Sequence, residues 1–190
     1  MSERNTLIRS MHDIGLAAWF GGNLMGAVGL NGGTAEARDP RERLRLSSAG
    51  WAKWMPVQLA ALVVHGVGGV GLIMANRSRL ASQAEARRNT VVKLVVTGAA
   101  LASTAYSGVL GMKVAKNSEE GATGVTEPAM TSSNELASAQ SQQKVLQWVT
   151  PALTAILLVL SAQQGEQQRP FAGLVQSRFR EMVAQKRRNR

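Results

Sequence analysis

The chain has no cysteine, which excludes disulfides, Cys-ligated zinc, iron–sulfur clusters and thiol catalysis and leaves the redox compartment unread. A more telling absence is local. The 22 basic and 12 acidic residues cluster so that charge is missing from four stretches: Ile14 to Ala35, Trp54 to Asn76, Leu94 to Met112 and Val145 to Gly165. Each is close to the roughly 20 residues a helix needs to cross a hydrocarbon layer about 30 Å thick. Buried helices of a soluble domain would carry an apolar stripe and a charged face, and these stretches carry no charged face. A hydrophobic content of 45% also excludes a disordered chain. The expectation is an all-α fold: a four-transmembrane-helix bundle over residues 1–165, followed at 166–190 by a tail. At 190 residues the chain suits a single domain.

Four crossings put both termini and the central loop on one side. That side holds fourteen Lys and Arg against eight on the other. The positive-inside rule then places both termini in the cytoplasm, for a multi-pass protein of the bacterial plasma membrane. Trp51, Trp54 and Trp148 fall together at the outer interface and read as belt anchors, whereas Trp19 and Phe20 lie inside the first span, on a lipid-facing or helix-packing surface. Arg4 and Arg9, with Ala35-Glu36-Ala37 further on, also resemble a cleaved leader, but the intervening stretch is longer than a normal signal core.

The first outer loop, Glu36 to Lys53, alternates acids and bases and ends in two tryptophans, which predicts a short helix lying on the headgroups. The second, Lys113 to Lys144, is rich in Ser, Thr, Gly, Gln and Glu, so its first half is expected to be flexible and Glu135 to Lys144 to extend the last helix. The cytoplasmic loop from Arg77 to Lys93 is basic enough to face anionic lipid. In the tail, Phe171, Leu174, Val175, Phe179, Met182 and Val183 recur at helical spacing among basic residues. Such a cytoplasmic basic amphipathic helix fits anionic lipid headgroups or a partner's groove; nucleic acid is set aside because the helix is tethered to the spans.

Placed across a membrane, the spans bring Asn23, His65, Ser103 with Thr104, and Thr154 to one depth near their midpoints. Polar groups there face a bundle interior or a cavity. His65 is the one ionisable residue among them, either a proton-carrying or ligand-binding group or a member of interhelical hydrogen bonds worth about 0.6 kcal/mol each. A haem between His12 and His65 is tested and set aside, because the span limits separate the two by roughly 16 Å in depth. No His, Asp or Glu stands at metal-ligand spacing in the bundle, so neither cofactor nor metal is expected. The glycine-rich run from His65 to Gly71 lies in mid-span, without the strand a dinucleotide loop requires. Small residues at every fourth position instead predict helix packing: Gly22 and Gly26 in the first span, and Ala99, Ser103, Ser107 and Gly111 in the third. Ser103 and Thr104 have no acid partner and only a lone histidine at their depth, so no catalytic set is read and the protein is expected not to be an enzyme.

The run His12-Asp13-Ile14-Gly15-Leu16-Ala17-Ala18-Trp19-Phe20-Gly21-Gly22, with Val145-Leu146-Gln147-Trp148 opening the last span, resembles small four-helix integral membrane proteins of high-GC Gram-positive bacteria. That resemblance implies a topology and no activity. A His followed by Trp-x-Gly-Gly in a first helix is also similar to copper-resistance D-type membrane proteins, over about one span; their further histidines and Met-rich patterns are missing, so copper transport is not implied.

Two functions follow as expectations. The first is a non-enzymatic accessory or scaffold subunit of a larger membrane complex, with an envelope lipid transporter or a respiratory assembly as candidate hosts. The alternative is a small independent transporter or ligand-binding membrane protein that uses the polar layer centred on His65. The topology is checked directly: a reporter fused after Arg190 is expected to be active only in its cytoplasmic form, and an extracytoplasmic signal would overturn the charge argument.

Overall fold

A computed structural model describes residues 5–167. The tail expected at 166–190 lies outside the described residues, apart from two positions that end a helix. The described chain is helical with no strand. In order it comprises α1 (Thr6–Met25), a π-helical turn (Gly26–Leu30), α2 (Asn31–Ala35), α3 (Pro40–Ala75), α4 (Arg77–Ser82), α5 (Ala84–Lys116), a 3-10 turn (Ser118–Glu120) and α6 (Asn134–Gln167).

Three helices, α3, α5 and α6, are long and apolar enough to cross a membrane. Their outward faces expose residues such as Val63, Val67, Val95, Val109 and Val159, an apolar surface far beyond what water tolerates on a monomer. The first charge-free stretch falls short of that measure. Its helix carries His12, Asp13 and Asn23 and several glycines, and breaks into a π turn at Gly26. The reason is its place: α1 packs along α3 on one side and α6 on the other, while α5 packs on α6 and barely meets α3. A helix packed between two others can turn polar groups towards protein on its packed face.

The contact between α1 and α3 rests on small residues set against large ones. Residues of α3 at alternating steps of three and four, from Trp51 and Trp54 through Gln58 and Ala61 to His65 and Gly68, face α1. Gly26 underlies the Trp51 indole and Gly22 the Trp54 indole. At Gly15 a Cβ would lie 2.5 Å from His65 N and 2.6 Å from the Ala61 carbonyl oxygen, and at Gly68 it would lie 2.7 Å from His12 Cα and 2.8 Å from the Ile8 oxygen. The backbones therefore touch at two glycines, and two indoles fill the wider part of the seam. Trp51 and Trp54 are thus not belt anchors, since both turn inward and are half-buried. Trp148 stays half exposed, as a belt residue would.

Both outer-loop expectations need correction. Residues 40–53 do not lie flat as a separate helix but are the first turns of α3, begun by Asp39, whose side chain accepts from Arg41 N at 2.8 Å, and by Pro40 at the first helical position, where a missing N–H costs nothing. At 36 residues, α3 is about 54 Å long, well beyond a hydrocarbon layer. Its projecting end meets those of α5 and α6 in a second core of Leu44, Leu110, Val114, Ala122, Leu136 and Ala139. The connection from residue 117 to 133, expected to be flexible, is folded onto this core because its carbonyls find donors. Arg43 donates to Ala37 O at 2.8 Å, Ala122 O at 3.2 Å and Thr123 O at 2.7 Å, and Gln140 Nε2 donates to Gly124 O and Val125 O. Gly121, with φ +74°, makes the turn beside Pro40 that a residue with a Cβ would resist. The extension of α6 through Glu135 to Lys144 is present as expected.

Arg43 is the group that ties this connection to α3. Arg43→Gln removes charge-assisted bonds worth about 1.5–3 kcal/mol each, and is expected to raise amide exchange and protease cleavage across residues 117–133 by at least tenfold while the three long helices stay protected; an unchanged pattern would show that the arginine holds nothing.

Candidate functional site

Of the five polar residues expected at one depth, none is hydrogen-bonded to another: Asn23 and His65 bond across the α1–α3 seam, Thr104 links α5 to α1, Ser103 links α5 to α6, and Thr154 bonds within its own helix. Asn23 Nδ2 donates to Gln58 Oε1 at 3.2 Å and to its own helix at Trp19 O, and Gln58 Oε1 also accepts from Trp54 Nε1 at 2.7 Å. Thr104 accepts from Trp19 Nε1 at 3.0 Å, which makes the fully buried Trp19 a packing residue rather than a lipid-facing one. Ser103 and Thr150 share a hydrogen bond of 2.7 Å between α5 and α6. Thr154 turns back on its own helix, donating to Thr150 O. Depth along a span is legible from residue counts, but direction around each helix depends on which neighbours pack there.

The small-residue stripe expected in the third span is split likewise. Ala100, Ser103, Leu110 and Val114 are the buried positions of α5, while Ala99 is exposed and Gly111 has nothing within 4 Å of a Cβ position. Ser107 is partly buried, with its hydroxyl unpaired. In the first span Gly22 and Gly26 do face another helix, but beneath tryptophan side chains rather than against its backbone.

The largest departure concerns the two histidines. Their rings are in contact, with centroids 4.3 Å apart and planes inclined by 39°, where the span limits placed them far apart in depth. The charge-free boundary at Ile14 marks where charges stop in the sequence, not where the helix enters the bundle. The register is set by Gly15 and Gly68, which draw His12 level with His65. Each histidine is followed three residues later by the glycine that receives the other helix: His12-Asp13-Ile14-Gly15 on α1 and His65-Gly66-Val67-Gly68 on α3. This repeated spacing on two antiparallel helices is the sequence signal that could have paired them. The distance argument against a shared haem fails, but the rings touch each other directly and leave no gap for an iron between them. Among the described residues no group of three or more His, Asp or Glu could hold a metal.

The hydrogen bonds assign the imidazole nitrogens. His65 Nδ1 donates to the His12 carbonyl at 3.0 Å, and His12 Nδ1 donates to the Asp13 carboxylate at 2.9 Å. In the neutral rings Nε2 is then the acceptor of each. Trp19 presents its ring to His65 at 5.9 Å, edge to face, closing the site towards the bundle centre.

Beyond the histidines opens a cleft of about 280 Å³. Its walls are the ends of α3 and α5, which barely meet; His12 and Ser161 come from α1 and α6, and α4 crosses the end of the cleft with Arg79 and Leu80. Arg9, Asp13 and Lys93 also line it, three charges that the sequence places at the rims of the spans and the fold gathers around His65. Ser161 Oγ is buried there without a hydrogen-bond partner. A concave site with a mixed apolar and polar lining and converging titratable groups is the form a small-ligand site takes. No known protein family, curated protein or solved structure matches the chain.

The histidine contact depends on glycine at position 15. Gly15→Ala places a methyl against backbone that cannot yield alone, and is expected to lower the thermal midpoint in detergent by an overpacking cost of about 1–3 kcal/mol. Gly21→Ala, at a position with open space, serves as the comparison and is expected to be neutral or slightly stabilising. Equal midpoints for both variants would contradict the register described here.

Proposed function

We propose that the protein is a non-enzymatic, ligand-binding membrane protein whose working part is the cleft beside His12 and His65. The observation that carries this reading is the cleft itself: a concave cavity with a mixed apolar and polar lining at one end of the bundle, where titratable groups from several helices converge, is the form a small-ligand site takes. With two imidazoles, an aspartate, a lysine and two arginines around one cavity, the site can receive a polar group and exchange protons with it. No hydroxyl nucleophile activated by a histidine is part of the arrangement, which favours binding over covalent catalysis.

The proposal includes a fourth crossing by α1 and its continuation. From His12, against Gly68, to Asn31, which donates to Gln147 at 3.1 Å and accepts from Ser47 and Trp51, α1 runs for about 28 Å, close to the thickness of a hydrocarbon core. With four crossings, the excess of Lys and Arg on the side of the α3–α5 turn places both termini in the cytoplasm of a bacterial cell.

A second reading, an accessory subunit of a larger membrane complex, draws on the outward face of α5. Gly98, Gly108 and Gly111 have nothing within 4 Å of a Cβ position, a surface on which another helix could approach closely.

The two readings separate in one experiment. Gly66 lines the cleft and has open space around its Cβ position, so Gly66→Phe is expected to fold and to narrow the cavity. Native mass spectrometry of the gently extracted protein is expected to show a bound small molecule at close to one per chain, lost in Gly66→Phe. A wild-type chain that carries no small molecule but holds a stoichiometric partner protein would overturn the binding reading in favour of the subunit.

A further inference from the structure

We propose that the ligand of the cleft is an anionic phospholipid, held by its phosphate among Arg9, Arg79 and Lys93 with its acyl chains leaving along the α3–α5 wall; this rests on the binding reading above.

Charge is the first ground. Among the described residues lining the cleft, Arg9, Arg79 and Lys93 are cations and Asp13 is the one carboxylate. Asp13 is half exposed and is engaged by His12 Nδ1, so the lining keeps an excess of positive charge. Arg9 and Lys93 are already engaged in the fold; what they bring is their charge, which falls off slowly in a partly desolvated cavity. Arginine is also the side chain whose planar fork matches a phosphate.

Shape and lining are the second ground. Besides the polar Asn76, Asn89, Thr90, Thr97 and Ser161, the wall has an apolar part made by Val70, Leu72 and Ile73 of α3 and Leu94 of α5. A free phosphate gains nothing from that part, whereas the first methylenes of an acyl chain do. A volume of about 280 Å³ lies at the lower end for small-ligand pockets. It suits a headgroup and the start of two chains, the remainder lying in the bilayer.

Position is the third ground. The cleft lies where two helices apolar enough to cross a membrane diverge near the turn that joins them. The leaflet on that side is where a headgroup could enter laterally, without crossing the hydrocarbon layer. Acceptors in the same lining, Nε2 of His12 and of His65 and Ser161 Oγ among them, suit hydroxyls on the same headgroup. Phosphatidylglycerol, anionic and hydroxylated, is therefore the probe.

The test uses the full chain in nanodiscs containing phosphatidylglycerol or phosphatidylcholine with identical acyl chains, read by native mass spectrometry after release into detergent. Retention of phosphatidylglycerol is expected to exceed that of phosphatidylcholine by about tenfold, a difference of about 1.4 kcal/mol. Arg79 forms its one side-chain hydrogen bond with Gln83 at the surface, so Arg79→Gln should fold normally and lose most of that preference. Arg88→Gln removes the same charge from an exposed position that does not line the cleft, and should keep the preference. Equal retention of the two lipids, or an equal effect of the two substitutions, would overturn the proposal, the latter by showing surface attraction alone. Displacement of phosphatidylglycerol by inorganic phosphate at equal concentration would overturn the amphiphile. If Gly66→Phe still abolishes binding of some other small molecule while both lipids bind equally, the ligand class fails and the binding reading stands; if wild type and Gly66→Phe retain the same molecules, the binding reading itself fails.

Discussion

The structure depends on how closely α1 and α3 approach. Gly15 and Gly68 let the two backbones touch, and the indoles of Trp51 and Trp54 close the rest of the seam over Gly26 and Gly22. Pairing a ring on one helix with a glycine on the other gives dense packing without relying on apolarity, which has little force between helices surrounded by lipid. It also fixes register, because a shift along the seam would take Gly15 and Gly68 away from the places where the two backbones touch. From that register follow the contact of His12 with His65, the edge of Trp19 against His65, and the alignment of Asn31 with Ser47, Trp51 and Gln147.

Where α1 packs on its neighbours, the amides along this stretch find partners. Asn23 is held by Gln58 and Asn31 by three side chains, the condition on which buried amides are tolerated. The π turn at Gly26–Leu30 lies between them. Its wider turn rephases the helix relative to a plain α-helix, and Asn31 then meets both α3 and α6. The far end of the bundle is held differently: a small apolar core and carbonyls bound by Arg43 and Gln140 turn the 117–133 connection into a cap. One end of the molecule is thus closed by a folded strap, while the other opens into a cleft between α3 and α5.

Much of the architecture was legible without coordinates. The helical class, the three long apolar segments and the extension of α6 before Lys144 all come from patterns local to one segment. The polar residues of the midspans were also found, as His65, Ser103 and Thr154 are buried, but their grouping was not. Ser103 bonds Thr150, Thr104 bonds Trp19, and His65 meets His12. Residues 40–53 read as a surface helix because Pro40 and alternating charges mark a helix start; nothing local says whether that helix bends at the membrane or runs on through Pro56.

The sequence by itself determined which segments are helical and which can lie in hydrocarbon, because hydrogen-bond satisfaction and transfer free energy act residue by residue along a chain. Only the tertiary structure decided what those helices bring together. Arg9, His12, Asp13, His65 and Lys93 come from three helices and are far apart in the chain, and their meeting around one cleft follows from the azimuth and register of each helix. Those two quantities are set by packing between surfaces, by which glycine receives which ring, and packing is a property of pairs of segments that no single segment contains.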